Sequence, residues 1–282
     1  MTHPSDPQAP ERTTSAPPRE AIAPRTALRR RASANNPWLT GAVGVMIAVL
    51  LWWIFTHAAG AHNTLLAALE PERMPGAFAS LFGRGVILPD IGVSLLRLVL
   101  GLGLGIVLGV PLGIAVGSLP RFAGASSPVI QFLRMVSPLS WAPIAVALFG
   151  VGHAPVIFLV GIAAIWPVVI NTAAGVRAVD QHHVDVARVL GATGFEVLRH
   201  VVLPSARAHM LTGIRTALGI AWVIIVPAEM LGVTSGLGYE ILNARDRLAY
   251  DEMLAVILVI GLLGIVLDAL AQRLLRERKT RG

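Results

Sequence analysis

The chain is a succession of apolar runs, at 38–56, 91–118, 127–151, 155–176, 210–231 and 253–270, parted by shorter polar stretches. Each run approaches the about 20 residues that a helix needs to cross a bilayer. Surface for a water-soluble fold is also lacking. Charged residues make up 14% of the chain, against about 25% in a soluble domain. The two observations together predict an all-α integral membrane protein with about six transmembrane helices.

A formal net charge of +7 raises the question of nucleic acid. The arginines cluster beside the apolar runs, however, where they report topology rather than a DNA-binding face. Nucleic acid is therefore excluded as a partner, and membrane lipid is expected. The chain has no cysteine, which removes disulfides, thiolate metal sites and a cysteine nucleophile. Its single lysine, Lys279, lies in the C-terminal tail, so no phosphate loop closing on Gly-Lys-Ser/Thr is present. His182 and His183 are adjacent and lack zinc-ligand spacing. No cofactor, no metal and no catalytic residue are expected, and any ATP that drives the protein is bound by another chain.

Residues 1–37 are rich in Pro, Ala, Ser, Thr and Arg. Such a segment buries too little apolar surface to offset its ordering entropy, so it reads as a disordered basic tail. The run 38–56 carries Trp38 at one end and Trp52 and Trp53 at the other. That aromatic belt favours a retained span over a signal peptide cleaved near Ala59-Gly60-Ala61. Residues 57–90 form an external segment punctuated by Pro71, Pro75 and Pro89. In the second run glycines recur every fourth residue, at Gly101, Gly105, Gly109, Gly113 and Gly117. They allow close approach of another helix, inside one subunit in preference to a seam between subunits. Pro111 is expected to kink this helix. The third run contains Pro128, Pro138 and Pro143 and is expected to be broken or kinked, which lipid tolerates only where neighbours or a water-filled path satisfy the freed carbonyls. The two basic tails, Arg121 and the arginines of a polar island at 180–207 fall on one side of a six-span topology. The positive-inside bias makes that side cytoplasmic, with both termini there.

The island's centre, Asp185 to Pro204, reads DVARVLGATGFEVLRHVVLP. Gly191 suits the left-handed position that ends a helix. Thr193 and Glu196 have capping-box spacing and start a second helix, which Pro204 is expected to limit before the turn into the fifth span. Val197, Leu198, Val201 and Val202 gather on one face of it, and Glu196, Arg199 and His200 on the other. Asp185 and Arg188, three apart, can pair with each other or with a partner's charges.

This spacing, with an acid at Asp185, then Ala187, Gly191, Val201, Leu203 and Pro204, resembles the EAA motif of ABC-importer membrane subunits. Asp185 stands for Glu, Val186 for the first Ala and Val201 for Ile. The resemblance covers about residues 90 to 272 and implies a type I ABC importer (MetI-like) permease fold with cytoplasmic coupling helices. The domains are then a cytoplasmic tail 1–37, a first transmembrane helix 38–56, a periplasmic segment 57–90, a permease core 91–272 containing the EAA loop, and a basic tail 273–282. It also implies a bacterial inner-membrane homodimer. Its implied partners are a cytoplasmic ABC ATPase docking on the EAA loop and a periplasmic or lipid-anchored solute-binding protein.

The segments Pro138-Leu139-Ser140-Trp141-Ala142-Pro143, Trp166-Pro167 with Asn171-Thr172, and Ala228-Glu229 with Gly236-Leu237-Gly238-Tyr239 look like the nitrate, sulfonate, taurine and bicarbonate branch. A small anion is the implied solute. Relatives in the branch that import thiamine-pyrimidine precursors supply the alternative. Ionisable residues within spans are functional candidates by default: Arg97, Arg134, Arg215, Glu229 and Asp268. Arg134, Pro138, Trp141, Pro143, Arg215 and Glu229 are the candidates for a translocation path, although Arg134 and Arg215 are near enough to the cytoplasmic side to snorkel. Glu229 is expected to pair with Arg97 on grounds of depth, and rescue by a charge swap would test it. An ion-coupled secondary transporter would need repeated halves or midplane coupling acids, and an intramembrane enzyme would need a catalytic constellation within the spans. Neither feature is evident.

Overall fold

The structure is a computed structural model that describes residues 37–60 and 64–274. Nearly all of the tail 1–37, and the basic tail from 275 on, lie outside the described residues. The chain divides into two compact units, Met1–Ile47 and Ala48–Gly282. Among the described residues the first holds only the opening turns of α1 (Pro37–Gly60). Everything below belongs to the second.

After α1 come α2 (Thr64–Ala68), a 3-10 turn at Pro71–Arg73, α3 (Met74–Gly83) and the long α4 (Ile87–Ser118). Then follow α5 (Pro120–Met135), a 3-10 turn at Pro138–Trp141, α6 (Ala142–Phe149) and α7 (His153–Arg177). The polar island holds α8 (Gln181–Val189), α9 (Gly194–Val197) and a π-helical turn at Leu198–Val202. The chain ends with α10 (Leu203–Glu229), α11 (Leu237–Asp246) and α12 (Tyr250–Leu274). Among the described residues five helices are long and apolar enough to cross a membrane, or six if α5 and α6 count as one broken span bent by 88°. The bend has a local cause. Val136 and Ser137 adopt extended ψ angles of 124° and 131°, as a residue preceding Pro138 must when the proline ring excludes the helical region. The expected kink at Pro111 does not interrupt α4, which runs unbroken through it.

The glycine stripe explains the core. Gly101, Gly105, Gly109, Gly113 and Gly117 of α4 rest on Val160, Ala164, Val168, Thr172 and Val176 of α7. A Cβ added to any of them would lie within 2.6–2.9 Å of that side chain. Both rows have period four and rise together, so α4 and α7 run parallel, with the stripe spent inside one subunit. Gly175 meets Ala206 and His209, and Gly213 meets Asn171, so α10 packs antiparallel on α7. Small residues allow this approach because van der Waals contact, rather than exclusion of water, holds helices together in lipid. Buried Leu98, Ala145, Leu159, Val160, Ala221 and Ile225 extend the contact into one cluster.

Residues 64–90 are folded rather than a loop. Met74, Ala77 and Leu81 of α3 pack with Ile87, Leu237, Ala255 and Val256. The second half of α1 is tied to the same region, since the Trp52 indole donates to the Leu69 carbonyl (3.0 Å) and that of Trp53 to Glu72 (2.6 Å).

Candidate functional site

The polar island is a rigid hook. Asp180 caps α8 by accepting from the His182 backbone N–H (2.9 Å), and Val184 turns inward. The helix closes through a Schellman arrangement. The Gly191 N–H donates to Arg188 O and the Ala192 N–H to Ala187 O, with Gly191 at φ +86°. Thr193 and Glu196 form the capping box, the Glu196 carboxylate accepting from the Thr193 N–H (2.7 Å) and the Thr193 hydroxyl from the Glu196 N–H (3.3 Å). Asp185 meets Arg188 at 3.8 Å with both side chains more than half exposed. Such a pair contributes about 0–1 kcal/mol, so both charges are free to engage a partner.

Pro204 behaves differently from expectation. It does not end the second helix; α9, the π-turn and α10 form one continuous segment, Gly194–Glu229. The Leu203 N–H reaches back five residues to Leu198 O. That wider turn accommodates a proline with no N–H to donate. Val201, Leu203 and Pro204 thus form the start of the fifth span, and the hook continues into α10 without a break in the helix. Val197, Leu198, Val201 and Val202 are inward or half-buried, while Glu196, Arg199 and His200 are exposed. At the tip, Val189, Leu190 and Phe195 present apolar side chains that are 87%, 81% and 69% exposed.

A second polar centre lies at the opposite end of α10. Arg97 and Glu229 pair at 2.8 Å and are 1% and 0% exposed, in line with the depth argument. The sequence reading did not foresee what surrounds them. The Ser94 hydroxyl contacts both oxygens of Glu229 (2.9 and 2.8 Å) and accepts from the Leu237 N–H (2.9 Å). Asp90 accepts from the Gly236 N–H (2.7 Å) and Glu229 from the Gly238 N–H (3.0 Å). Arg97 also donates to the Ser235 carbonyl and hydroxyl (2.8 and 3.0 Å) and to His153 Nδ1 (3.1 Å). Side chains of α4 and α10 therefore cap the first N–H groups of α11, which would otherwise be unsatisfied. A Cβ at Gly236 would strike the Glu229 carboxylate at 2.5 Å. Asp90, Ser94 and Arg97 share one face of α4 at helical spacing, a signal legible in the sequence but not read. Close by, Arg84 and Arg247 each contact both Glu240 and Glu252, closing a four-membered ring of ion pairs between α3, α11 and α12.

The proposed path residues are dispersed. Glu229 is enclosed in the network just described. Pro138, Trp141 and Pro143 sit at the bend between α5 and α6, and Arg134 at the end of α5. Arg215 pairs with Asp268 of α12 at 3.1 Å, both about half exposed.

A polytopic helical core carrying a hook continuous with one of its spans defines the class, that of a membrane transport permease. Residues 101–280 match the family described as binding-protein-dependent transport system inner membrane component, and the chain belongs to that family. It is 37% identical over 234 residues to the bicarbonate transport system permease protein CmpB of Synechococcus elongatus, covering 80% of this chain and 84% of the relative. It is 31% identical over 231 residues to the nitrate import permease protein NrtB of Synechocystis sp., with the same coverages. It is 38% identical over 190 residues to the taurine transport system permease protein TauC of Escherichia coli, covering 67% and 69%. Among solved structures, the fold resembles a chain of the inward-facing MetNI methionine ABC transporter, with a TM-score of 0.59 at 16% identity over 67% of this chain and 94% of that one. The fold is MetI-like, and the chain is a multi-pass membrane transport component.

Proposed function

We propose that this permease imports a small anion of the nitrate, bicarbonate, taurine or aliphatic-sulfonate class. It works as a homodimer in the bacterial inner membrane, with both termini cytoplasmic, on solute delivered by an external binding protein. ATP is hydrolysed on a separate ATPase chain that receives residues 180–207. The observation that carries the coupling role is the apolar tip of Val189, Leu190 and Phe195, held on capped helices that continue into α10. Exposed apolar side chains at a rigid polar element mark a docking surface, and a partner groove covers them as it covers an amphipathic helix. Asp185, Ala187, Gly191, Val201, Leu203 and Pro204 shape this element, and Asp185 and Arg188 offer charges at its rim. The nature of the solute rests on the relatives.

Leu190→Asp with Phe195→Asp tests the docking. The pair should abolish copurification of the ATPase and ATP-dependent uptake while leaving the melting temperature of the isolated permease unchanged. Retained copurification would refute the assignment. Because the chain has no cysteine, Ala192→Cys reports sidedness without background: an impermeant thiol reagent should label it only from the cytoplasmic face. Uptake of nitrate, bicarbonate and taurine in proteoliposomes of the full complex decides the solute.

A further inference from the structure

A cavity of about 240 Å³ lies between α4, α5 and α7, lined on one side by Ser127, Gln131 and Arg134 and on the other by Ala173 and Arg177. Ser127, Gln131 and Arg134 follow helical spacing and so share one face of α5. Ala173 and Arg177 are one turn apart on α7. Elsewhere in the spans α4 and α7 touch through bare glycines, but here α5 stands away from α7 and leaves space. Neither arginine is neutralised. The ion pairs among the described residues involve other side chains. Arg177 donates from Nη2 to the Val116 carbonyl (3.1 Å), which fixes the guanidinium at the cavity wall with further N–H groups to spare. Arg215, by contrast, faces the carboxylate of Asp268.

We propose that this cavity is an oxyanion site, in which the guanidinium groups of Arg134 and Arg177, helped by Gln131 and Ser127, hold a small tetrahedral or planar anion. The two arginines and Ser127 and Gln131 are exposed at the open side of the cavity, where an anion can enter from solvent, and a guanidinium is built for two parallel bonds to such oxygens. The volume equals that of about eight liquid waters. That suits a sulfate, nitrate, sulfonate or phosphate group and is below the about 300 Å³ at which drug-sized sites begin. The same chemistry fits a free oxyanion and the phosphate of an anionic lipid headgroup. The site does not depend on which solute the transporter carries, and it is tested by binding rather than transport.

The full chain with its ATPase is reconstituted in phosphatidylcholine nanodiscs in a buffer free of other oxyanions, and sulfate and nitrate are titrated by calorimetry. In a parallel arm, retention of phosphatidylglycerol from mixed nanodiscs is read by native mass spectrometry. Arg134→Gln and Arg177→Gln should each weaken the bound species about tenfold or more, the loss of a charge-assisted hydrogen bond. Arg134→Lys and Arg177→Lys, which keep the charge and guard against misfolding, should weaken it less. Sulfate or nitrate binding lost in the Gln variants identifies a free-anion site. Phosphatidylglycerol retention lost in the same variants, with no free-anion binding, identifies a headgroup site. Absence of both, or binding indifferent to Arg134 and Arg177, overturns the proposal.

Discussion

The two ends of α10 solve opposite problems. At its C-terminal end Glu229 is wholly enclosed, and its oxygens accept from Ser94, Arg97 and the Gly238 N–H. At the other end the hook leaves Leu190 and Phe195 bare while satisfying its own backbone through a Schellman turn and a capping box. A buried ion pair gives poor evidence for stability but strongly resists loss of one partner. A bare apolar tip costs free energy until something covers it. One end is thus closed by its own chain and fixes α11 to α4 and α10, whereas the other leaves apolar side chains exposed. The contrast separates the part of the chain that is closed by its own side chains from the part that the proposed docking would cover.

Glu229→Ala should strike hardest, since it leaves Arg97 buried and unpaired. A loss of about 3–5 kcal/mol is expected, seen as a large fall in melting temperature or in folded yield of the purified permease. The structure also revises the charge-swap test. Arg97→Glu with Glu229→Arg should not rescue transport, because an arginine at 229 would face the Gly238 N–H and a carboxylate at 97 would face the Ser235 carbonyl. Rescue by the swap would show that net charge alone matters there. Next in size is Gly105→Val, which drives side-chain atoms into Ala164 and should cost about 1–3 kcal/mol as an overpacked interface. Gly103→Ala, where nothing lies within 4 Å, should be silent by thermal melting, and a large effect there would break the assignment of the α4 faces. At the hook, Gly191→Ala meets no neighbour within 4 Å but must hold φ +86°. The strain of about 1–2 kcal/mol should appear as weakened ATPase copurification with little change in global stability. Thr193→Ala removes the capping box at a cost of about 1 kcal/mol, and should loosen the hook by hydrogen exchange at Gly194–Val197 without touching the Arg97–Glu229 network.

The legible parts of the chain were those written in local spacing. Apolar run length gave the spans, and Gly191 with Thr193-x-x-Glu196 gave both caps of the hook, because capping joins residues three or four apart and needs no tertiary partner. The glycine period announced a close helix contact but not its partner, since a stripe of small residues carries no address. Only the fold shows that α7 repeats the same period and accepts it. Pro204 was misread because a proline's missing donor ends a helix only if the turn before it stays α-helical, and here a π-turn absorbs the fault. The partners around Arg97 are 56 to 138 residues away from it in sequence, counting Asp90 and Ser94 on its own helix apart. By itself the sequence determined a six-run helical membrane chain with a capped polar hook, through hydrophobic length and short-range hydrogen bonding. Only tertiary packing decided which polar groups are enclosed and which are left open. Enclosure depends on what distant helices bring to within 3 Å, and no local pattern encodes that.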